Sequence, residues 1–218
     1  MEKVIFDIKN LKVYSSGNEI VTFNFTVLEK EHVMIYSSDK SSEIFLKCLN
    51  RNSEPIDGEI YYYKDNILTY NLLDSNEYKI TDCIYINPSL PLIDDLNVKD
   101  NLYLSLSINR LEEDKKYIKE LLQIFSLNKL LDKMPSELTL YDTLRVKIAR
   151  ALFNKPFVLL IPDLSTLLDD DMLKKVYGLL NKINDIYKVT LITSTSSPDT
   201  LKYANKKIII ENNETTLI

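Results

Sequence analysis

Residues 135–169, PSELTLYDTLRVKIARALFNKPFVLLIPDLSTLLD, contain the pattern from which the fold is predicted. Within this stretch, Leu144, Ile148 and Leu152 recur at a spacing of four and therefore line one face of an amphipathic helix. Basic residues lie on the flanks of that face. The pattern predicts a helix that packs against a hydrophobic core, and the rest of the chain can be placed relative to it.

A buried strand is predicted directly after this helix. Pro156 ends the helical pattern, and residues 157–161 (FVLLI) form an unbroken apolar run, which is typical of a strand buried on both faces. Pro162 and Asp163 follow, so a carboxylate lies just beyond the C-terminal end of the strand. Open α/β sheets usually bind ligands at that end. Asp163 is therefore a candidate site residue.

This segment resembles the nucleotide-binding subunits of ABC transporters. In that family a serine-glycine-glycine signature opens a helix with a close variant of RVAIARAL, and a KPxLLLxDEP strand and a leucine-aspartate turn follow. Here RVKIARAL at 145–152, the pair Lys155 and Pro156, and the turn residues Leu168 and Asp169 match. The resemblance covers essentially the whole chain and implies a single domain over 1–218.

The fold class that the resemblance implies is α/β. It is a P-loop NTPase-like ABC ATPase domain with an antiparallel β layer and an inserted α-helical subdomain, which we place at about residues 88–142. The N-terminal residues agree with the β layer, because apolar and polar residues alternate in Val4–Ile8 and Ile20–Leu28 around a turn at 15–18. Tyr14 lies where the family carries an aromatic ring that stacks on adenine. The alternative is a strand aromatic packed on its neighbours.

Composition and charge exclude several other classes. The net charge of −5 leaves no basic face for phosphates, so we expect no nucleic-acid partner. No apolar run of about twenty residues and no apolar leader is present, which predicts a cytoplasmic protein. Cys48 and Cys83 are isolated, which predicts two buried small side chains and no metal site. The one histidine, His32, is predicted to be an exposed residue at a strand edge.

A polar loop at 37–42 lies between a short apolar strand, Val33–Tyr36, and a predicted helix. Strand, loop and helix in this order are typical of a phosphate-binding loop, but such a loop needs glycines and a lysine, and this one contains no glycine. Counting from neighbouring matches places the family's lysine at Glu43 or at Ser42. A shorter loop would instead make Lys40 the phosphate ligand. The nucleotide-binding positions implied here are Ser37, Ser38, Lys40, Ser41 and Ser42.

The resemblance places Asn87 where the family has a glutamine that contacts Mg²⁺ and the attacking water. Residues 87–104, NPSLPLIDDLNVKDNLYL, follow the family's pattern for the part that touches the transmembrane partner, including its LTVxEN phrase. We therefore predict that this docking part is retained. It leads into a helix predicted at Glu112–Phe125.

The remaining catalytic positions of the family carry different residues here. The signature maps to Thr139, Leu140 and Tyr141, and the two last side chains replace the glycines that let a γ-phosphate approach. The Mg²⁺-binding aspartate maps to Pro162. The general-base glutamate maps to Asp163, and the family's histidine, which senses the γ-phosphate, maps to Ser196.

Five parts of the ATP-hydrolysing machinery are thus replaced, which predicts a catalytically degenerate subunit. It would act as a structural or regulatory partner in a membrane transporter complex, docked on a transmembrane permease at the inner face of the membrane. It would form a homodimer or a heterodimer with an active ABC ATPase, and no cofactor is expected. The alternative is an active but divergent ABC ATPase that uses ATP, Mg²⁺, Lys40 and Asp163 to power transport.

Overall fold

The computed structural model describes residues 3–64, 67–71 and 82–218. The chain divides into two compact units. The sheet unit comprises the chain up to Tyr85 together with Phe157–Ile218, and the helical unit comprises Ile86–Pro156. The helical unit extends beyond the predicted subdomain at 88–142 because it contains the whole of a helix at 140–152.

The sheet unit is built on one mixed sheet. Its described strands are β1 Val4–Tyr14, β2 Ile20–Leu28, β3 His32–Tyr36, β4 Asp57–Lys64, β5 Ile67–Asn71, β6 Cys83–Tyr85, β7 Val158–Ile161, β8 Thr190–Thr195, β9 Lys206–Glu211 and β10 Glu214–Leu217. Their order is β5-β4-β1-β2-β10-β9-β3-β8-β7-β6. Strands β5, β4, β1 and β2 pair antiparallel, whereas β3, β8, β7 and β6 pair parallel. The predicted α/β class with an antiparallel β layer is confirmed.

Where the structure describes the sheet unit, its α-helices are α1 Ser41–Leu49 and α5 Asp170–Tyr187. The inner face of α1 packs into the main core, where Phe45 stacks on Phe23 of β2 with ring centroids 4.6 Å apart. Strands β7 and β8 are buried at every position, as an apolar run between two layers predicts. This packing fixes the loop between β3 and α1, because both of its flanking elements are held in the core.

The helical unit contains α2 Val98–Asn109, α3 Lys115–Ile124 and α4 Leu140–Leu152. A side chain caps the N-terminus of each helix: Asn97 accepts from the amide of Asp100, Asp114 from Tyr117, and Thr139 from Asp142. Each cap supplies an acceptor for a first-turn amide that has no partner within its helix.

Glycine is scarce, and other residues take the backbone conformations that it usually supplies. Among the described residues, eleven that are not glycine have a positive φ. They include Asn212 and Asn213 in the turn between β9 and β10, where a turn is predicted from the two asparagines. They also include Lys40 in the loop before α1, with φ of 64°.

The structure corrects three expectations and leaves one partly outside the described residues. The helix predicted at Glu112–Phe125 begins only at Lys115, because Asp114 caps its N-terminus, and it ends at Ile124. His32 is buried because β3 lies inside the sheet between β9 and β8, not at its edge. Phe157 is 44% exposed and precedes β7, so the strand is one residue shorter than predicted. The sequence also predicts a strand at 78–86; the structure describes this stretch only from residue 82 onward, where β6 lies. In the parts of the chain that are described, no helix has the length and apolar character needed to cross a membrane.

Candidate functional site

The loop between β3 and α1 is short, and its side chains form hydrogen bonds with the start of α1. Its four residues, 37–40, end at Lys40, whose left-handed backbone turns the chain into α1. Ser37, Ser41 and Ser42 are at most 2% exposed. The structure therefore brings these three predicted residues together, whereas Ser38 and Lys40 are exposed.

All four amides of the first turn of α1 have acceptors from the chain itself. The Ser41 amide donates to Asp39 Oδ1 at 3.1 Å, and the Ser42 amide donates to Ser37 Oγ at 3.1 Å. The amides of Glu43 and Ile44 both donate to the carbonyl of Lys40, at 3.0 and 3.2 Å. A helix N-terminus binds phosphate through such amides when they are free. Here they are occupied.

Glu43 is one of the two positions at which counting along the sequence places the family's lysine, and it carries a carboxylate instead. Glu43 forms an ion pair with Lys47, with 2.9 Å between Oε1 and Nζ. Burial raises the pKa of the nearby Tyr85, and the negative charge of Glu43 raises it further. The start of α1 thus carries two negative side chains, Asp39 and Glu43.

The turn between β1 and β2 contacts this loop directly. Ser16 donates twice to the Asp39 carbonyl, from its hydroxyl at 2.8 Å and from its amide at 3.3 Å. Tyr14 pairs with Ile20 across the hairpin, and both side chains are exposed. The exposed Tyr14 ring therefore lies at the base of a turn that is tied to the loop.

The carboxylate of Asp163 lies just after β7, as predicted, and four hydrogen bonds occupy its two oxygens. Oδ1 accepts from the amide and hydroxyl of Ser165, at 2.8 and 2.6 Å. Oδ2 accepts from the Ser196 amide at 2.9 Å and from the Ser196 hydroxyl. The structure thus brings Asp163 and Ser196 together. Ser165 was missed, although a serine two residues after an aspartate is a common local partner for it.

A group of buried polar side chains near Asp163 was also not predicted from the sequence. The phenol of Tyr177 is fully buried, and burial raises its pKa, with further contributions from the charge of Asp163 and from Tyr203. His32 Nδ1 donates to Asn181 Oδ1 at 2.7 Å, and the ring stacks on Tyr177. Burial lowers the pKa of His32 to about 4, so the imidazole is neutral near pH 7. These residues hold α5 against the sheet.

In the helical unit, the signature positions form the start of α4. The Thr139 hydroxyl donates to Asp142 Oδ2 at 2.8 Å and accepts from the Asp142 amide at 3.1 Å. Asp142 also pairs with Arg145, whose guanidinium lies 4.9 Å from the centre of the Tyr141 ring. Leu140 is 51% exposed. The N-terminus of α4 is therefore capped by the Thr139 hydroxyl, which the Asp142 carboxylate holds in place.

The remaining predicted residue, Asn87, is exposed and used in a local turn. Its side-chain oxygen accepts from the Ser89 amide at 3.0 Å. Farther along the same segment, Asn101 is fully buried and makes four hydrogen bonds to the backbone of Ile93, Leu96 and Asn97. Asn101 matches the last residue of the LTVxEN phrase. The segment is thus organised by its own asparagines.

Comparison with known proteins agrees with the resemblance seen in the sequence. No protein-family model matches the chain. The chain is 31% identical over 173 residues to the methionine import ATP-binding protein MetN of Legionella pneumophila (strain Lens), covering 78% of this chain and 50% of MetN. It is 27% identical over 229 residues to the lipoprotein-releasing system ATP-binding protein LolD of Buchnera aphidicola subsp. Acyrthosiphon pisum, covering 98% of this chain and 97% of LolD.

Among solved structures, the dimeric ATP-binding cassette MJ0796 in a post-hydrolysis state, bound to ADP and Pi, is similar with a TM-score of 0.75 and 24% identity. The match covers 98% of each chain. The chain therefore has the ABC ATPase fold, and its sequence is related to the ATP-binding subunits of ABC transporters. It spans about half the length of the MetN relative.

Proposed function

We propose that this chain is a catalytically degenerate ATP-binding-type subunit of an ABC transporter complex. It keeps the fold of the ATPase but does not hydrolyse ATP. Its role is that of a structural or regulatory partner, which docks a transmembrane permease through residues 87–104 and dimerises with itself or with an active ABC ATPase.

One observation carries this proposal: the first turn of α1 has no free amide for a phosphate. Ser37 and Asp39 accept from the amides of Ser42 and Ser41, which are the groups that a phosphate would need. A triphosphate would have to displace these acceptors. It would also bring negative charge next to Asp39 and Glu43, which favours exclusion over binding.

The residues present also do not fit a magnesium ion bound to such a triphosphate. Pro162 has no side-chain oxygen at the position that carries the family's metal-binding aspartate. The two oxygens of Asp163 accept four hydrogen bonds from Ser165 and Ser196, which is the full capacity of a carboxylate. To accept a proton from water, Asp163 would first have to give up one of these bonds.

The transporter context rests on the relatives. MetN is named for methionine import and LolD for a lipoprotein-releasing system, and both are ATP-binding proteins. The similar cassette MJ0796 is a dimer in its solved structure. By analogy, the chain works at the inner face of a membrane with a permease subunit, and co-purification with a membrane protein of that type is expected.

Calorimetric titration of the full chain with ATP in excess Mg²⁺ tests the proposal. We expect no binding heat at nucleotide concentrations up to the millimolar range. Saturable binding with a micromolar dissociation constant contradicts the degenerate assignment. The same titration with a known ABC ATPase confirms that the nucleotide and metal are competent.

A second candidate is an active but divergent ABC ATPase, and the ATP-binding names of both relatives favour it. In that case Lys40, which is exposed at the end of the loop, would contact phosphate and Asp163 would act as general base. This candidate predicts a measurable rate of phosphate release that Asp163→Asn abolishes. An unchanged rate in Asp163→Asn, or no rate in the wild type, rejects it.

A further inference from the structure

We propose that Lys147 is a positioning residue that fixes the turn at Asn87 and Pro88. Through this contact, the docking segment, residues 87–104, holds one conformation without any nucleotide. The docking role of the segment rests on the proposed function, whereas the positioning by Lys147 rests on contacts within the helical unit.

Lys147 is a buried cation with a single carbonyl partner among the described hydrogen bonds. It lies on α4, the residue is 6% exposed, and its Nζ donates to the Pro88 carbonyl at 2.5 Å. Burial lowers the pKa of Lys147, and the charge of Arg150 lowers it further. A buried ammonium group is costly unless it donates hydrogen bonds. The contact with Pro88 is therefore a strong constraint on the turn.

The resembled pattern offers no donor at this position. Lys147 stands in RVKIARAL where the resembled pattern RVAIARAL has alanine. An alanine side chain has no donor and cannot reach the Pro88 carbonyl. The tether between α4 and the turn that begins the docking segment therefore depends on the lysine side chain.

Two anchors hold the docking segment at separate points. Lys147 holds the Pro88 carbonyl at its start, and Asn101 holds the backbone from Ile93 to Asn97. Between and beside these anchors, Leu90 is 58% exposed and Ile93 is 43% exposed. The segment therefore presents apolar side chains from a backbone that is fixed on both sides, which lowers the ordering cost of binding a partner.

The side chain of Asn87 supports the same conclusion. Its oxygen is used within the turn, where it accepts from the Ser89 amide. The conformation of the turn is thus set by Asn87 and Lys147, which both belong to the helical unit. No bound ligand is needed to complete these contacts.

Amide hydrogen exchange of the full chain, resolved by peptide, tests this inference. Lys147→Met keeps the length of the side chain and removes the donor, so exchange in the peptide 86–92 is expected to accelerate by about tenfold or more. The peptide 93–101, anchored by Asn101, is expected to change less. Lys147→Arg keeps a cationic donor and is expected to restore slow exchange, and Lys119→Met, an exposed lysine of the same unit, serves as the matched control.

Equal exchange of the peptide 86–92 in wild type and Lys147→Met overturns the inference. If Lys147→Met does not fold, Lys147→Ala takes its place, because alanine also lacks a donor and stands at this position in the resembled pattern, and an unchanged peptide 86–92 in that variant overturns the inference equally. Repeating the wild-type measurement with Mg²⁺ and ATP separates the two proposals. Slower exchange at 86–92 contradicts nucleotide independence, whereas slower exchange confined to 36–45 contradicts the proposed function and leaves the role of Lys147 intact.

Discussion

The loop at 37–42 and the docking segment at 87–104 are both polar stretches beside a helix, but they have diverged in different ways. In the loop, serine and aspartate side chains occupy the amides of α1 that would meet a phosphate. In the docking segment, Asn101 stands at the position that the family pattern predicts and holds the backbone by four hydrogen bonds. Asn101 thus agrees with the resembled pattern, whereas the loop lacks the glycines of that pattern and fills the first turn of α1 with its own acceptors.

The largest expected effect concerns the docking segment, residues 87–104. Asn101→Ala leaves the backbone groups of Ile93, Leu96 and Asn97 without their buried partner. We expect a loss of about 3 kcal/mol in the free energy of unfolding, because unsatisfied buried polar groups are costly. Urea unfolding followed by circular dichroism measures it. Asn109→Ala, an exposed asparagine of α2, is the control, and equal losses in both variants would refute a structural role for Asn101.

The next largest effect concerns the loop at 37–42. Ser37→Ala removes the acceptor of the Ser42 amide and the hydroxyl partner of Ser42, both buried. We expect a loss of about 1.5 kcal/mol in the free energy of unfolding. Ser38→Ala, at the exposed neighbour, is expected to be neutral. A neutral Ser37→Ala variant would mean that the loop does not depend on its internal acceptors.

The start of α4 extends the comparison to a second helix N-terminus, and it predicts a pH dependence. Burial would raise the pKa of Asp142, but the hydrogen bonds from Arg145 and Thr139 outweigh it, so that the pKa is lowered. The ordinary value in an unfolded chain is about 3.9. The stabilisation by ionised Asp142 is therefore present above that pH and is lost as the pH falls through the lower folded value.

Asp142→Asn removes this charge, and we expect it to cost about 1 kcal/mol at pH 7. The difference from wild type should shrink as the pH is lowered below about 4. Urea unfolding at pH 7, 5 and 3 measures the trend. A difference that stays constant over this range contradicts the assigned charge interaction.

The smallest effect separates two reasons why the loop would exclude a nucleotide, namely its lack of glycine and its internal acceptors. Lys40→Gly relieves a left-handed backbone conformation and is expected to stabilise the chain by about 0.5 kcal/mol. It should not create nucleotide binding, because Ser37 and Asp39 remain in place. Lys188→Gly, at the left-handed cap of α5, is the matched control for the backbone effect. Micromolar ATP binding by Lys40→Gly would show that the missing glycine alone excludes the nucleotide.

The sequence was sufficient to predict elements whose apolar pattern is regular. The β1 and β2 hairpin, the buried strand β7 and the helices α3 and α4 all show a period of two, an unbroken run or a period near four. In contrast, α2 was not predicted, because its serines and asparagines interrupt the apolar face. Its start is nevertheless marked by the cap at Asn97.

His32 was misassigned because its burial depends on contacts from distant parts of the chain. His32 follows a charged residue and was placed at an exposed edge, but β3 pairs with β8 and β9, which come more than 150 residues later. The internal acceptor Asp39 and the internal donor Ser165 could not be distinguished from exposed polar residues, since their hydrogen bonds depend on the loop conformation.

The amides of Ser41 and Ser42 in the first turn of α1 already donate to the chain's own acceptors. Hydrogen exchange at these two amides, resolved by NMR with and without Mg²⁺ and ATP, tests most directly whether this excludes a nucleotide. Slow exchange is expected in the free protein, with no change when nucleotide is added, because both amides already have partners. Rapid exchange in the free protein that becomes slow with nucleotide would contradict it.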